Sequence, residues 1–131
     1  MSDVTVTVPA RPDFVHVLRS VVASVAARAS FSFDAIDDLR LAVDEACAQL
    51  LAFPAPANAL HLRIAIDDVG RLEVVASSDA DASDAIWPPV GAENTLTWQV
   101  LSALADEARF ERAGIGPALH ITKLREAAPS V

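Results

Sequence analysis

Phe33–Ala52, FDAIDDLRLAVDEACAQLLA, reads as one long amphipathic helix, and the remaining elements group around it. Ile36, Leu39, Val43, Cys47 and Leu50 recur at helical spacing and form a single apolar stripe, with Ala46 at its edge. Asp34 is the expected N-cap. Asp37 and Asp38 fall in the first turn, where the helix dipole favours negative charge. The opposite face is expected to show Asp38, Ala42, Glu45 and Gln49. Glu45 and Gln49 stand four residues apart, so a carboxylate and an amide are surface neighbours able to act on one ligand. On spacing alone, a solvated helix face is the simpler reading.

On the N-terminal side of this helix, Val4–Val8 alternates polar and apolar residues and reads as an edge strand ended by Pro9 and Pro12. Pro12–Ala29 reads as a helix with Phe14, Leu18, Val21, Val22 and Val25 inward. Its outer face carries His16, Arg19, Ser20 and Ala23. On the C-terminal side, Pro54 and Pro56 close the central helix. Leu60–Ile66 and Leu72–Ala76 read as a hairpin around the DDVG turn. Ser77–Glu93 has no periodicity and reads as a long loop. Thr95–Ala105 is a third helix with Leu96, Val100, Leu101 and Leu104 inward. Two further strands, Ala108–Arg112 and Ala118–Leu124, join through AGIGP, and a mobile tail is expected from about Arg125. Three helices and five strands, the later ones in hairpins, predict an α+β fold. It is a two-layer sandwich with a mainly antiparallel sheet covered on one face by the helices, in a single domain over 1–131.

Composition narrows the function. A chain of 131 residues with 53% hydrophobic residues has enough material for a real core. The formal charge of −8 argues against direct nucleic-acid binding, which needs basic surface, and suits a basic protein partner. The most apolar run, Phe14–Ala29, is too short for a bilayer and holds His16, Arg19 and Arg28, so no membrane partner is expected. The opening MSDVTVTVPARPD lacks a basic segment followed by an apolar stretch, so no secretory signal is expected and a cytoplasmic location fits. Cys47, the single cysteine, lies on an apolar face and reads as a buried structural thiol. His16, His61 and His120 show no metal-ligand spacing. No GxGxxG, P-loop or nucleophile elbow is present. Trp98 reads as a packing aromatic and Trp87, before Pro88 and Pro89, as a loop anchor.

The order of elements, with LAVDEACAQLL on the second helix and LSALADEARFER after the third, resembles the small GHKL-type ATPase domains of bacterial anti-sigma factors. These are the RsbW-type serine-protein kinases, and the actinobacterial UsfX branch is the most similar. The resemblance runs from about Val4 to Leu124, and DLRLAVDEAC is its most specific part. It implies that Glu45 occupies the place of a general base. Gln49 stands where the family has an asparagine that holds the magnesium of bound ATP, and Asp79 stands at the adenine-reading aspartate. ATP and magnesium are therefore the cofactors it implies. Three departures bear on them: Gln for Asn at 49, no glycine after Asp79, and Gly91 alone in GAENTLTW, where glycines would let backbone N–H groups meet phosphate.

The resemblance also implies a homodimer that grips an alternative sigma factor and is released by an anti-anti-sigma factor. It places Arg19, with His16 beside it, at the sigma contact. The function expected is an anti-sigma factor that sequesters a sigma factor and regulates transcription, with degraded nucleotide motifs and weak or absent catalysis. The alternatives are an active ATP-dependent serine kinase acting on an anti-anti-sigma factor, and a nucleotide-free protein-binding scaffold. For Arg19 the alternative is an ordinary solvated arginine.

Overall fold

A computed structural model describes residues 2–126. Strand β1 (Ser2–Pro9) is followed by a 3-10 turn and helix α1 (Val15–Arg28), then α2 (Phe33–Leu51) and the hairpin of β2 (Ala59–Ile66) and β3 (Arg71–Ser78). A loop ending in a second 3-10 turn leads to α3 (Leu96–Leu104), β4 (Glu107–Ala113) and β5 (Gly116–Leu124). The strands form one antiparallel sheet in the order β1-β2-β3-β5-β4, so β1 is an edge strand as its alternation predicts.

The three helices cover one face of the sheet, and α2 lies between α1 and α3 against β3 and β5. Leu39, Val43, Cys47 and Leu50 of α2 pack with Leu60, Leu62, Ile64, Leu72, Val74, Leu119 and Ile121 of the sheet in one core. On the other face of the sheet, charged side chains form cross-strand pairs, as alternation in a one-side-covered sheet requires. His120 of β5 bridges Glu73 and Glu111, each at 3.1 Å. Burial raises the Glu111 carboxyl, but hydrogen bonds from Arg109 and His120 outweigh it and hold the group below its usual range.

Several expectations need correction. Ser32, not Asp34, caps α2: its Oγ accepts from the Ala35 N–H at 3.1 Å, and Asp34 falls in the first turn. The first helix begins as a 3-10 turn at Pro12–Phe14 and turns α-helical at Val15. Ala23 of α1 and Ala42 of α2, placed on polar faces by spacing, are buried. Their helices lie side by side, and α2 is flanked on both sides, so its buried arc is wider than one stripe. Leu96 is 74% exposed, while Thr97 and Leu101 turn inward. Ser77 and Ser78, assigned to the loop, extend β3. Gly70 closes the DDVG turn with φ +86°, a conformation that costs glycine little. The backbone N–H of Arg125 donates to Gly70 O at 2.8 Å, and its side chain donates to Ala29 O at 2.7 Å. The remaining tail, from 127, lies outside the described residues.

Candidate functional site

Glu45 and Gln49 project from adjacent turns of α2 toward α3. The Gln49 side chain is already engaged: its Oε1 accepts from the Thr97 hydroxyl at 2.9 Å, and Thr97 is buried. Glu45 is half-buried and lines an open groove between α2 and α3. Among the described residues it has no hydrogen-bond or ion-pair partner. The start of α3 is also closed on itself. The Thr95 hydroxyl accepts from the Trp98 N–H at 3.2 Å and donates to Ala92 O at 2.7 Å, a local N-cap that takes up a free helix-end donor.

Asp79 stands just beyond β3, where its Oδ1 accepts from the N–H groups of Asn58 and Ala59 at 2.8 and 3.1 Å. Those two bonds, the Ala59 one foremost, hold its carboxyl below the usual aspartate range. The carboxylate thus organises the entry to β2. Glu45 and Gln49 share α2, whereas Asp79 belongs to the β2–β3 end of the sheet.

The loop after Asp79 is bound to β4 and β5. Trp87 is 6% exposed and sits edge-on to both Phe53 and Phe110, with ring centroids 5.6 and 5.2 Å apart. Its indole N–H donates to Glu111 O at 2.6 Å. Arg112 of β4 donates to three loop carbonyls, Trp87 O at 3.1 Å, Ala82 O at 3.0 Å and Ala85 O at 3.4 Å. A Cβ on Gly116 would lie 2.1 Å from Ser78 O, so β5 and the exit of β3 touch backbone to backbone. The tryptophan signal was legible as a loop anchor. Arg112 was not, because an arginine in a strand normally signals solvent.

Arg19 and His16 line a second groove, between α1 and α2, with Pro12, Val15, Asp44 and Leu51. The Arg19 guanidinium pairs with Asp44 of α2 at 3.2 Å, and the two side chains are 43% and 36% exposed. Arg40 lines the same face, pairing with Asp37 at 3.2 Å. Among the described residues, no three His, Cys, Asp or Glu side chains stand together as a metal site. No helix there is long and apolar enough to cross a membrane.

This five-stranded sheet under three helices, with a Glu-bearing central helix, is the frame of a histidine kinase-like ATPase domain. Residues 8–123 match that family, to which the chain belongs. Its relatives there are of the RsbW type. The anti-sigma-F factor RsbW of Mycobacterium tuberculosis is 35% identical over 116 residues, covering 87% of this chain and 64% of the relative. The serine-protein kinase RsbW of Bacillus subtilis is 34% identical over 80 residues, covering 59% of this chain and 49% of its own length. This chain therefore spans about half to two thirds of the relatives it matches. The crystal structure of the RsbU and RsbW domains of a Mycobacterium tuberculosis protein shares the fold. Its TM-score is 0.73 at 14% identity, over all of this chain and 35% of that one.

Proposed function

We propose that this domain is an anti-sigma factor that holds an alternative sigma factor by binding alone, in the cytoplasm and as a homodimer, without turning over nucleotide. The observation that carries this reading is the hydrogen bond from Thr97 to Gln49 Oε1, the oxygen expected to serve magnesium. Magnesium demands near-ideal octahedral geometry, and glutamine brings the amide one methylene further out than asparagine. The other nucleotide contacts are similarly spent. Asp79 Oδ1 serves two backbone N–H groups, Thr95 caps the helix end where phosphate would sit, and Trp87 and Arg112 bind the covering loop to β4. These residues do not fit Mg-ATP. Arg19 beside His16 supports the sigma contact, since a guanidinium in an open groove can exchange Asp44 for a partner carboxylate bidentately. The names of the relatives support the partner class.

The test is to mix the purified chain with the sigma factors of its source organism, with and without Mg-ATP, and resolve complexes by size-exclusion chromatography. The expected result is a complex indifferent to nucleotide, dissociated by an unphosphorylated anti-anti-sigma factor. No complex with any sigma factor, or one that forms only with Mg-ATP, overturns the proposal. A second reading, an active serine kinase, draws on Glu45, which is unpaired among the described residues and free to accept a proton from an attacking hydroxyl. Calorimetric titration with Mg-ATP separates the two, because heat of binding at micromolar to millimolar nucleotide would favour the kinase.

A further inference from the structure

Among the described residues, grooves open on both sides of α2 in the helical layer, and the two that hold charged side chains of α2 differ in character. The α1–α2 groove carries Arg19, Arg40 and His16. The α2–α3 groove encloses about 560 Å³ and has an apolar floor of Leu41, Ala48, Val100, Ala103 and Leu104, with Asp44 and Glu45 at its rim. Leu41 is 53% exposed. The α3 sequence, LTWQVLSAL, contains no charged residue, so no cation on that helix answers the two carboxylates. Asp44 is paired from the α1 side by Arg19, whereas Glu45 has no partner among the described residues.

We infer that the α2–α3 groove docks a basic amphipathic helix of a partner protein. The two helices run antiparallel, since Gln49 meets Thr97 while Leu41 and Leu104 share the other end. Side-by-side helices present a trough along their axes, which a third helix fills with apolar residues at i, i+3 or i+4, and i+7. Charge selects the kind of helix. A lysine or arginine flanking the apolar stripe reaches Glu45, which is half-buried and so less screened than a fully exposed carboxylate. A chain with net charge −8 draws in a basic partner and repels an acidic one. This surface is separate from the Arg19 face invoked for the sigma factor.

The probe is a synthetic helical peptide with leucine along one face and lysine on both flanks, against a matched peptide with glutamate for lysine. Fluorescence anisotropy of the labelled peptides against the intact chain reads the affinities. The lysine peptide should bind at least about tenfold more tightly than the glutamate peptide. Ala103→Arg, at an exposed floor position, and Glu45→Lys should each weaken it by about tenfold or more. Ser20→Arg, in the other groove, should leave it unchanged. Equal binding of the two peptides, no binding, or indifference to both groove variants overturns the inference. So does conversion of a wild-type dimer to a monomer by Ala103→Arg in sedimentation, which would make a second copy the occupant. Lysine-peptide binding by a chain that captures no sigma factor supports this inference while the sigma-binding reading falls.

Discussion

Replacing Trp87 with alanine tests whether the loop between β3 and α3 is part of the folded body or a free cover. A buried tryptophan removes about 150–250 Å² from water, which at about 25 cal/mol per Å² is about 4–6 kcal/mol as an upper bound. Trp87 also makes edge contacts to Phe53 and Phe110 and donates to Glu111 O. Partial collapse of the site returns some of this, so Trp87→Ala should destabilise the domain by about 3–5 kcal/mol. Trp87→Phe keeps most of the ring packing and strands only the Glu111 carbonyl, so about 1–2 kcal/mol is expected. Urea unfolding followed by far-ultraviolet circular dichroism gives both values, and Trp98 remains as a second, fluorescent probe of the same transition. A loss below about 1 kcal/mol for Trp87→Ala, of the size seen at an ordinary surface site, would refute the argument. The loop would then be free to open, and the case against nucleotide entry would lose its mechanical basis.

Arg19→Ala should weaken the sigma complex by about 2 kcal/mol if Arg19 anchors the interface, while Glu45→Ala leaves it nearly intact; calorimetry of both variants decides this, and unchanged affinity for Arg19→Ala removes that residue from the contact. Val43→Asp puts an unpaired charge into the fully buried centre of α2 and should abolish cooperative unfolding; a normal transition would contradict the core described above. Burial, with Asp44 nearby, pushes the Cys47 thiol up to about 12, so a thiol reagent should label it at neutral pH only on unfolding. Fast labelling of the native chain would place Cys47 outside the core. Asp79 has its carboxyl lowered by its backbone donors, so its contribution to stability is present above the unfolded value and fades as pH falls through the folded one. The stability gap between the wild type and Asp79→Ala should therefore shrink in acid, and a gap constant with pH would show that the carboxylate charge is not what matters.

The elements were legible because each carries its own period: the two-residue alternation of Leu60–Ile66 and the 3.6-residue stripe of Ile36–Leu50. The errors lie where a neighbour overrides the local pattern. Ser32 and Asp34 are both good capping residues, and only the backbone geometry picks Ser32. Ala42 is small and uncharged, so nothing in the sequence says that a second helix covers it. At α3 the actual inward positions, Thr97 and Leu101, include a hydroxyl that a hydrophobic pattern passes over. That hydroxyl is the group that reaches Gln49, across 48 residues of chain. The same blindness applies to Lys123, whose ammonium pairs with Asp38 at 3.0 Å from 85 positions away.

The ion pair between Arg19 and Asp44 has a thermodynamic consequence, because Asp44 borders both grooves of the helical layer. An occupant of the α1–α2 groove that claims the guanidinium releases a carboxylate toward the α2–α3 side, where a cationic occupant gains from it. The favour is mutual, since binding free energies at two sites must couple symmetrically. A pair this exposed is worth at most about 1 kcal/mol, so the cooperativity it can transmit is bounded at roughly fivefold. Asp44 is thus a shared counter-ion that makes two acts of recognition aware of one another, gently and in both directions.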